Sequence, residues 1–376
     1  MPDRETDIVV RLAPGVASVP PAEWDALAGP GDPFLSHAFL SALEQSGSVG
    51  GRSGWSPLAI VVEEAGGAVA AMPAYLKTHS QGEYVFDHGW ADAWQRAGGD
   101  YYPKLQVAVP FTPVPGRRLL GARPQALLSA AEAVVGQNGL SSAHITFLSE
   151  DEAAECEARG WVIRHGLQYH WFNREYRNFD DFLAELSSRK RKAIRKERTV
   201  AANGLAFQAL RGAEIRPHHW EAMWRFYQHT GRRKWGRPYL TRTFFNQLGE
   251  SLRGRILLLL ASRQGEPIAG ALNLIGEEAL YGRYWGATED VPFLHFELCY
   301  YRAMEWAIAA GLKQVQAGAQ GEHKLARGYE PVITRSAHFI AHPAFRDAVE
   351  RFVEEERTAV AFEAEALRAD LPFRRG

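Results

Sequence analysis

Side chains able to do acid–base chemistry are concentrated in one stretch of the chain, residues 281–331. The carboxylate of Glu297 heads the apolar face of a predicted helix, and this face continues at helical spacing through Tyr301 and Ile308. A carboxylate on an apolar face must be paired with a cation, or its pKa rises. Two interpretations stay open. Glu297 is either a structural acid paired with an arginine such as Arg283, or a general base that takes a proton from an attacking amine.

Other candidates flank this helix. His295 at its start is a candidate acid or base, with a cap or packing residue as the alternative. After the next predicted strand, a glycine-containing loop carries Glu322, His323 and Lys324. Such a loop can present backbone amides and a cation to an anion or to a polarised carbonyl, and the alternative is a surface loop with solvated charges. Tyr329, which follows, is a candidate proton donor to a leaving group.

The strand before this helix ends in Arg283, Tyr284 and Trp285. The aromatic side chains of Tyr284 and Trp285 predict a pocket for a flat or apolar group. The alternative is that they belong to the core. We expect backbone amides of the central strands to bind a developing oxyanion, with help from Arg283 or Lys324.

The densest charge run lies on a second predicted helix, 179–202, where seven of the ten residues 189–198 are basic. A solvated helix face is the ordinary interpretation of such a run. Lys190, however, falls on the apolar stripe of this helix, so we expect Lys190 and its neighbour Arg189 to point toward the interior or a cleft and to need an anionic partner. Four of the remaining basic residues face outward at a spacing that suits a phosphate backbone, namely Arg191, Lys192, Arg195 and Arg198.

Composition and charge exclude several classes of protein. The 376 residues are 46% hydrophobic and 23% charged, which is typical of a globular protein, and the length favours two domains. The net charge of −1 gives no general attraction to nucleic acid or membranes. The two cysteines, Cys156 and Cys299, lack metal-ligand spacing, so we expect no metal site and a reducing compartment. Because the start is unlike a signal peptide and no apolar run approaches about 20 residues, we expect a cytoplasmic protein without a membrane span.

The predicted elements occur twice. Each half shows a helix, antiparallel strands, a further strand, a helix and a strand, which indicates a duplicated α/β fold. We place an N-terminal domain at 1–170 and a C-terminal domain at 171–376, the latter with the basic helix 179–202 and a long helix 343–371. Residues 79–104, dense in aromatic side chains, predict a long ordered loop over a cleft.

Two stretches carry a resemblance to a known family. SSRKRKAIRKERTVAANG resembles the Ser-Lys-x-Arg-x-x-Ile-Arg helix start of the Fem ligases, aminoacyl-tRNA-dependent enzymes that add amino acids to cell-wall precursors. Here it falls on Ser188, Arg189, Arg191, Ile194 and Arg195, with arginine instead of lysine at 189. The run that ends in GAQGEHKLARGYEP is similar to their closing helix–strand–loop, through Gly328 and Tyr329. Across nearly the whole chain the sequence resembles the Fem-like family of peptidoglycan biosynthesis/recognition, mostly predicted N-acyltransferases.

This resemblance implies membership of the GNAT superfamily, with two tandem GNAT-like domains, each a mixed, mostly antiparallel sheet flanked by helices. Arg118 and Gly121 in RLLGA look like part of the GNAT pyrophosphate loop, whose backbone amides at a helix N-terminus would hold coenzyme A phosphates. Arg123 stands where that pattern has a small residue.

The implied activity is formation of an amide by transfer of an acyl or aminoacyl group to a small-molecule amine. The donor is a co-substrate, acyl-CoA or aminoacyl-tRNA, and we expect no permanently bound cofactor. The loop at 118–122 favours acyl-CoA, whereas the basic helix at 189–198, with Lys192 and Arg195, favours tRNA. A hypothesis from a different class is a non-catalytic binding module that recognises a cell-wall precursor or an RNA.

Overall fold

The computed structural model describes residues 8–234, 238–318 and 321–374 of the chain. The strands are β1 (Ile8–Ala13), β2 (Trp55–Glu64), β3 (Gly67–Lys77), β4 (Lys104–Val107), β5 (Leu120–Gly121), β6 (Ser142–Leu148), β7 (Val162–Phe172), β8 (Ala206–Arg211), β9 (Ile256–Arg263), β10 (Glu266–Ile275), β11 (Ala279–Ala287), β12 (Gln314–Gln316) and β13 (Glu330–Ile340). The helices are α1 (Pro21–Ala28), α2 (His37–Gln45), α3 (His88–Arg96), α4 (Pro124–Gln137), α5 (Glu150–Ala158), α6 (Phe179–Glu185), α7 (Ser188–Ala201), α8 (Pro217–Lys234), α9 (Arg242–Ser251), α10 (Leu294–Phe296), α11 (Arg302–Ala309) and α12 (Pro343–Ala369). A π-helical turn, Glu297–Tyr301, joins α10 to α11.

The chain divides into two compact units, and neither is one continuous segment. The first comprises Met1–Gly166 and Ile333–Phe362, and the second comprises Leu167–Val332 and Glu363–Gly376. The boundary that we placed at 170/171 lies close to the first crossing point. The predicted assignment of all later residues to the second domain differs from this division, because the second half of β13 pairs with β6 of the first unit.

In the first unit the sheet order is β1-β2-β3-β4-β6-β13. Neighbouring strands are antiparallel except β4 and β6, which are parallel. The predicted hairpin between β2 and β3 is present. Its turn residues Ala65 and Gly66 have φ of 50° and 80°, as a two-residue turn of this kind needs. Helices α4 and α5 pack on the sheet through a core that includes Leu127, Ile145 and Cys156.

In the second unit the order is β7-β12-β11-β10-β9-β8. Here β11 and β12 form the parallel pair, and the other neighbours are antiparallel. The pairing of β11 with β12 ends where Tyr281 lies opposite Gln316. Since β12 stops there and β11 continues to Ala287, the second half of β11 has no partner from β12.

Each unit is therefore a mixed, mostly antiparallel sheet flanked by helices with one parallel strand pair inside it. The predicted α/β fold, with two tandem units that are each a mixed, mostly antiparallel sheet flanked by helices, is confirmed. Within the described ranges, no helix combines the length and the hydropathy needed to cross a membrane.

The basic helix that we predicted at 179–202 is in fact two helices, α6 and α7. Leu186 between them is extended, with ψ 153°, and the amide of Ser187 donates to the carbonyl of Pro372 at 2.9 Å. Because the chain turns here, the helical phase of α6 does not continue into α7. Lys190 is half-buried and Arg189 is exposed, so the expected inward direction of these two side chains is not observed.

Residues 79–104, predicted as a long loop, contain helix α3. Trp90 and Ala91 of this helix are buried. Trp94 stacks on Phe345 of α12 with 4.7 Å between the ring centroids. The helix forms because its apolar side packs on α12, a partner that the local sequence did not indicate.

Candidate functional site

Glu297 begins the π-helical turn of the second unit, with 1% of its side chain exposed. Its carboxylate oxygens accept hydrogen bonds from Nε and Nη2 of Arg198, each at 3.0 Å, and Nε of Arg302 lies 3.0 Å from Oε1. Arg198 also donates to Glu305 at 2.7 and 2.9 Å. Guanidinium groups thus engage both oxygens of Glu297, which favours the structural acid over the general base. Its partners are Arg198 and Arg302, not the expected Arg283.

A second ion pair connects α7 to the loop that follows β12. Nη2 of Arg327 donates to both carboxylate oxygens of Glu197 at 2.9 Å, and Nε of Arg327 donates to the hydroxyl of Tyr301 at 2.9 Å. The Tyr301 hydroxyl in turn donates to Glu197. The guanidinium lies 3.5 Å from the centroid of the Phe296 ring, which adds a cation–π contact. These contacts fix the loop against the helix.

Lys324 in this loop is a buried cation, with 1% of the residue exposed. Its Nζ donates to the carbonyl of Gly318 at 2.6 Å, and in the part of the chain that the structure describes no carboxylate lies within ion-pair distance of it. Burial lowers the pKa of Lys324 to about 7, and nearby Cys299 offsets part of this shift. An amine with this pKa is neutral often enough near pH 7 to accept a proton, so Lys324 is the strongest candidate base among the predicted residues.

Two polar residues on neighbouring strands accompany Lys324. Gln316, the last residue of β12, pairs with His170 of β7, and the two are 8% and 4% exposed. Burial and the charge of Lys324 lower the pKa of His170 to about 3, so its imidazole is neutral at physiological pH. The side-chain carbonyl oxygen of Gln316 is buried and has no hydrogen-bond partner within the described ranges.

An aromatic cluster brings several predicted site residues together. The ring of His295 packs edge-on against Trp285 and Tyr300, at centroid distances of 5.2 and 5.3 Å. Nε2 of His323 lies 2.8 Å from the Tyr300 hydroxyl, and the Tyr300 ring lies 5.4 Å from that of Tyr329. Burial raises the pKa of Tyr329, whose hydroxyl has no partner among the described residues. The predicted role of Tyr329 as a proton donor stays a prediction.

Two other predicted residues of this stretch lie apart from the cluster. The ring of Tyr284 packs against Tyr227 and Phe245 at 5.8 and 5.7 Å, on the side of helices α8 and α9. Glu322 is exposed at the start of the loop. The predicted substrate contacts of Tyr284 and Glu322 therefore have no support in this geometry.

Arg283 occupies a β-bulge. Leu272 of β10 pairs with Tyr284, and the next residue of β10 pairs with Gly282, so Arg283 is the extra residue of β11. A bulge leaves a backbone amide outside the regular ladder. The expected binding of an oxyanion by strand amides, with help from Arg283, stays a prediction.

The outer side of α7 remains basic. Its exposed cations are Arg189, Lys192, Arg195 and Lys196. Arg195 lies 3.0 Å from Asp180 in a solvent-exposed pair of small energetic weight. Two residues predicted to face outward do not: Arg198 binds Glu297, and half-buried Arg191 donates to the carbonyl of Leu186 at 3.4 Å.

The predicted pyrophosphate loop of the first unit is occupied by an internal carboxylate. The amides of Arg118 and Leu119 donate to Glu152 at 2.7 to 2.9 Å. Arg118 itself is buried, and its guanidinium donates to three backbone carbonyls. Gly121 lies in β5 at φ +87°, where a Cβ would approach the carbonyl oxygen of Val69 to 2.2 Å. The glycine thus serves a close strand contact, and these amides are not free to bind a phosphate.

The first unit also buries an ionic cluster that the sequence did not indicate. Nζ of Lys104 donates to Glu83 at 2.8 Å, Asp87 at 2.5 Å and Ser80 at 2.9 Å. Lys77 lies 3.8 Å from the other oxygen of Glu83. Burial lowers the pKa of Lys77 and raises that of Glu83, both to about 7. The four charged side chains are at most 2% exposed and compensate one another, so the cluster fixes the segment around it.

Each unit has a polar cross-strand pair beside its parallel strands. In the first unit the pair beside the parallel strands is His144 and His338, whose Nδ1 atoms are 2.7 Å apart. Nε2 of His144 lies 2.7 Å from the Ser142 hydroxyl and 3.4 Å from that of Tyr101. Both ring nitrogens of His144 are thus engaged within the protein. Nε2 of His338 and Oε1 of Gln106 have no partner within the described ranges, and the same holds for Oε1 of Gln316 in the second unit. What favours the second unit for chemistry is Lys324, a buried cation with no carboxylate within ion-pair distance among the described residues.

Sequence reasoning missed Gln316, His170 and Tyr300. A usable signal exists for the first two, because polar residues alternate with buried apolar ones in QVQ of β12 and QYHW of β7, which marks one polar face of a buried strand pair. The arginine partners of Glu297 had no such signal, since they are brought to it by tertiary packing.

Comparison with known proteins gives a family match. The model of the FemAB-like family, described as peptidoglycan biosynthesis/recognition, matches residues 15–375. No curated protein matches the chain.

Several solved structures share the fold. FemX is 12% identical, with a TM-score of 0.54 over 88% of this chain and 98% of that one. A conserved protein of unknown function from Bacteroides thetaiotaomicron is 12% identical, with a TM-score of 0.54 over 89% of this chain and 100% of that one. L-PGS from Bacillus licheniformis is 12% identical, with a TM-score of 0.50 over 86% of this chain and 98% of that one. At such identities the likeness concerns the fold alone.

Proposed function

The chain belongs to the FemAB-like family of peptidoglycan biosynthesis/recognition, and we propose that it forms an amide by transferring an acyl or aminoacyl group to a small-molecule amine in its second unit. Membership of the family that the sequence resembles supports an acyltransferase-type enzyme. The observation that carries the proposal is Lys324, a buried amine with a pKa of about 7 that has a backbone carbonyl and no carboxylate beside it in the described ranges.

In the proposed reaction the neutral amine of Lys324 takes a proton from the acceptor as the acceptor nitrogen attacks the carbonyl carbon of the donor. The new N–C bond forms, and the carbonyl oxygen becomes an oxyanion that accepts hydrogen bonds from backbone amides of the central strands. When the bond from carbon to the leaving group breaks, the Lys324 ammonium returns the proton to that group. One side chain thus serves as base and then as acid, while Glu297 holds the π-helical turn in place.

For the donor we propose an aminoacyl ester of tRNA. The exposed cations of α7 support this choice, because they can contact several phosphates at once. The engagement of the Arg118 and Leu119 amides by Glu152 removes the feature that favoured acyl-CoA.

A donor screen with the full chain tests the proposal. The protein is incubated with labelled aminoacyl-tRNAs or acyl-CoA thioesters and with a panel of amines that includes cell-wall precursor peptides. We expect deacylated tRNA and a labelled amide product. No release from any donor across the panel would instead support the binding module without turnover.

The variant Lys324→Met tests the assigned base. We expect turnover to fall by about 10²–10⁴ while the protein stays folded. In the wild-type protein kcat/KM, calculated on the concentration of neutral acceptor amine, should rise with pH up to about 7 and then level off, because only neutral Lys324 accepts the proton. The control Lys324→Arg keeps the charge but cannot become neutral in this range, so it should lose the activity as well. An unchanged rate in either variant would remove Lys324 from the mechanism.

A further inference from the structure

We propose that Gln316 selects a primary amine as the acceptor, because its side-chain carbonyl oxygen accepts a hydrogen bond from the attacking nitrogen. The inference rests on the proposed function, since it concerns the same site beside Lys324. It adds a specificity-determining residue and the reason why an amine, not a hydroxyl, is the acceptor.

The backbone fixes the position of Gln316. It is the last residue of β12, between Tyr281 of β11 and His170 of β7. Its Nε2 lies 3.5 Å from Oε1 of Gln314. The side-chain carbonyl oxygen of Gln316 is buried without a hydrogen-bond partner in the described part of the chain. A buried acceptor of this kind carries a desolvation penalty that an N–H group of a ligand would relieve.

Lys324 interacts with the chain close to Gln316. The carbonyl of Gly318, two residues beyond Gln316, accepts a hydrogen bond from Nζ of Lys324 at 2.6 Å. The charge of Lys324 also contributes to the lowered pKa of His170, the cross-strand partner of Gln316. The amine of Lys324 is thus held two residues beyond the strand end that carries Gln316.

The chemistry of these groups separates amines from alcohols. A neutral primary amine has two N–H groups, so it can pass one proton to Lys324 and donate the other hydrogen bond to Gln316. A hydroxyl has a single proton, which the base requires, and it would leave the carbonyl oxygen of Gln316 unpartnered. A site with a buried polar group rejects the analogue that cannot pair with it. Water retains one O–H for Gln316 but lacks the substituent that anchors a larger acceptor.

The neutrality of Gln316 matters as well. A carboxylate at this position would bind an ammonium group and hold it protonated, and it would raise the pKa of Lys324. A carbonyl accepts the N–H of a neutral amine without either effect. The amide side chain therefore suits an acceptor that must be deprotonated before it attacks.

Binding of a matched pair of small probes tests the proposal without a donor. Glycinamide and glycolamide differ only in the amine and hydroxyl groups, and their affinities for the full chain are measured by NMR titration at pH 8. We expect the wild-type protein to favour glycinamide. The variant Gln316→Met, which keeps the length but has no acceptor oxygen, should reduce that preference about 5- to 10-fold. The control Gln314→Met leaves the Gln316 carbonyl in place and should retain the preference. Equal preference in wild type and Gln316→Met would overturn the proposal.

A second variant, Gln316→Glu, gives an independent measurement. Turnover is measured against pH with the donor found in the screen. Because the new carboxylate stabilises the Lys324 ammonium, the pH at which kcat/KM rises should increase by about one unit or more. A merely structural role of Gln316 would not change this pH, and an unchanged value would contradict its placement beside Lys324.

The two proposals fail in different ways. If no donor supports turnover but the amine preference depends on Gln316, the proposed function is refuted and amine recognition stands. If turnover occurs and the preference survives Gln316→Met, the transferase stands and the role of Gln316 is refuted.

Discussion

Arg198 and Glu297 are joined by two hydrogen bonds of 3.0 Å, and this pair fixes α7 to the π-helical turn. Glu297 is 1% exposed, whereas Arg198 keeps 21% of its side chain in contact with solvent. Burial alone would lower the pKa of Arg198, but the carboxylates of Glu305 and Glu297 raise it above its ordinary value. The pair therefore remains charged and acts as a structural clamp beside the site of Lys324.

Replacing Glu297 by Gln should destabilise the protein and barely affect the reaction. Arg198 and Arg302 would face a neutral amide, which should lower the free energy of unfolding by about 2–4 kcal/mol, less than for a fully buried pair because both guanidinium groups are partly hydrated. Urea unfolding measures this loss, and turnover measured where the variant is folded should change less than about fivefold.

The control for this experiment is Glu305→Gln, which removes the more exposed partner of Arg198, 37% exposed. Its destabilisation should stay below about 1 kcal/mol. A Glu297→Gln variant with normal stability and a rate reduced by about 10²–10⁴ would instead identify Glu297 as the general base.

Lys324→Met should stabilise the protein in a pH-dependent way. Burial lowers the pKa of Lys324 in the folded state to about 7, from its ordinary value of 10.5, so between these two pH values the unfolded chain binds a proton that the folded chain releases. The destabilising effect of Lys324 is thus complete below about pH 7 and disappears as the pH rises toward 10.5. At pH 6 the free energy of unfolding of the variant should exceed that of the wild type by on the order of 4 kcal/mol. This difference should shrink steadily above pH 7.

Urea unfolding of both proteins at pH 6, 8 and 9.5 measures this difference. Since Lys77 and Glu83 titrate in both proteins, their contributions cancel in the comparison. A difference that stays constant over this range would show that Lys324 is not perturbed in the folded state.

Gly121→Ala should destabilise the protein without changing donor affinity. The new Cβ would meet the Val69 carbonyl oxygen in a backbone conformation with positive φ, so we expect a loss of about 2–3 kcal/mol in urea unfolding. Gly136→Ala in α4 is the matched control. No atom lies within 4 Å of a Cβ at that position, and the change should stabilise the helix by about 0.5–1 kcal/mol. Normal stability combined with weaker coenzyme A binding would restore the predicted role of Gly121 in phosphate binding.

The basic face of α7 should control the salt dependence of tRNA binding. Combined replacement of Lys192, Arg195 and Lys196 by alanine should reduce the slope of log K against log salt by about 2, since three phosphate contacts are lost. Binding of bulk tRNA between low and moderate salt measures the slope. Three exposed cations outside α7, replaced together, provide the control, namely Arg253, Lys313 and Arg351. An unchanged slope would place the RNA on another surface.

Local features of the fold were predictable because neighbouring residues determine them. The turn at Ala65 and Gly66 needs only two residues with positive φ between β strands. Asn178 caps α6 as predicted, by accepting a hydrogen bond from the amide of Asp181 at 3.0 Å. The repeated order of the predicted elements indicated a duplicated α/β fold, and the resemblance to a family implied the same tandem arrangement.

The predictions that differ from the structure depend on residues far apart in the sequence. Arg198 and Glu297 are 99 positions apart, and no periodicity connects them. The inward direction expected for Lys190 assumed one uninterrupted helix, whereas the helix ends where a distant strand-like segment binds Leu186. In the candidate site, too, some features follow from the local sequence and others only from the folded structure. The aromatic residues and Lys324 stand out in one stretch of sequence, but the burial that lowers the pKa of Lys324 is a property of the folded unit.

The break between α6 and α7 is closed by the last described residues of the chain. Pro372 accepts from the Ser187 amide, Phe373 pairs with Leu186, and the amide of Arg374 donates to Glu185 at 2.9 Å. These three residues therefore hold the start of α7, the helix that carries the basic face, in a fixed position after α6. Removal of residues 372–374 should therefore free the start of α7 from its position after α6, while the strands of both units stay paired.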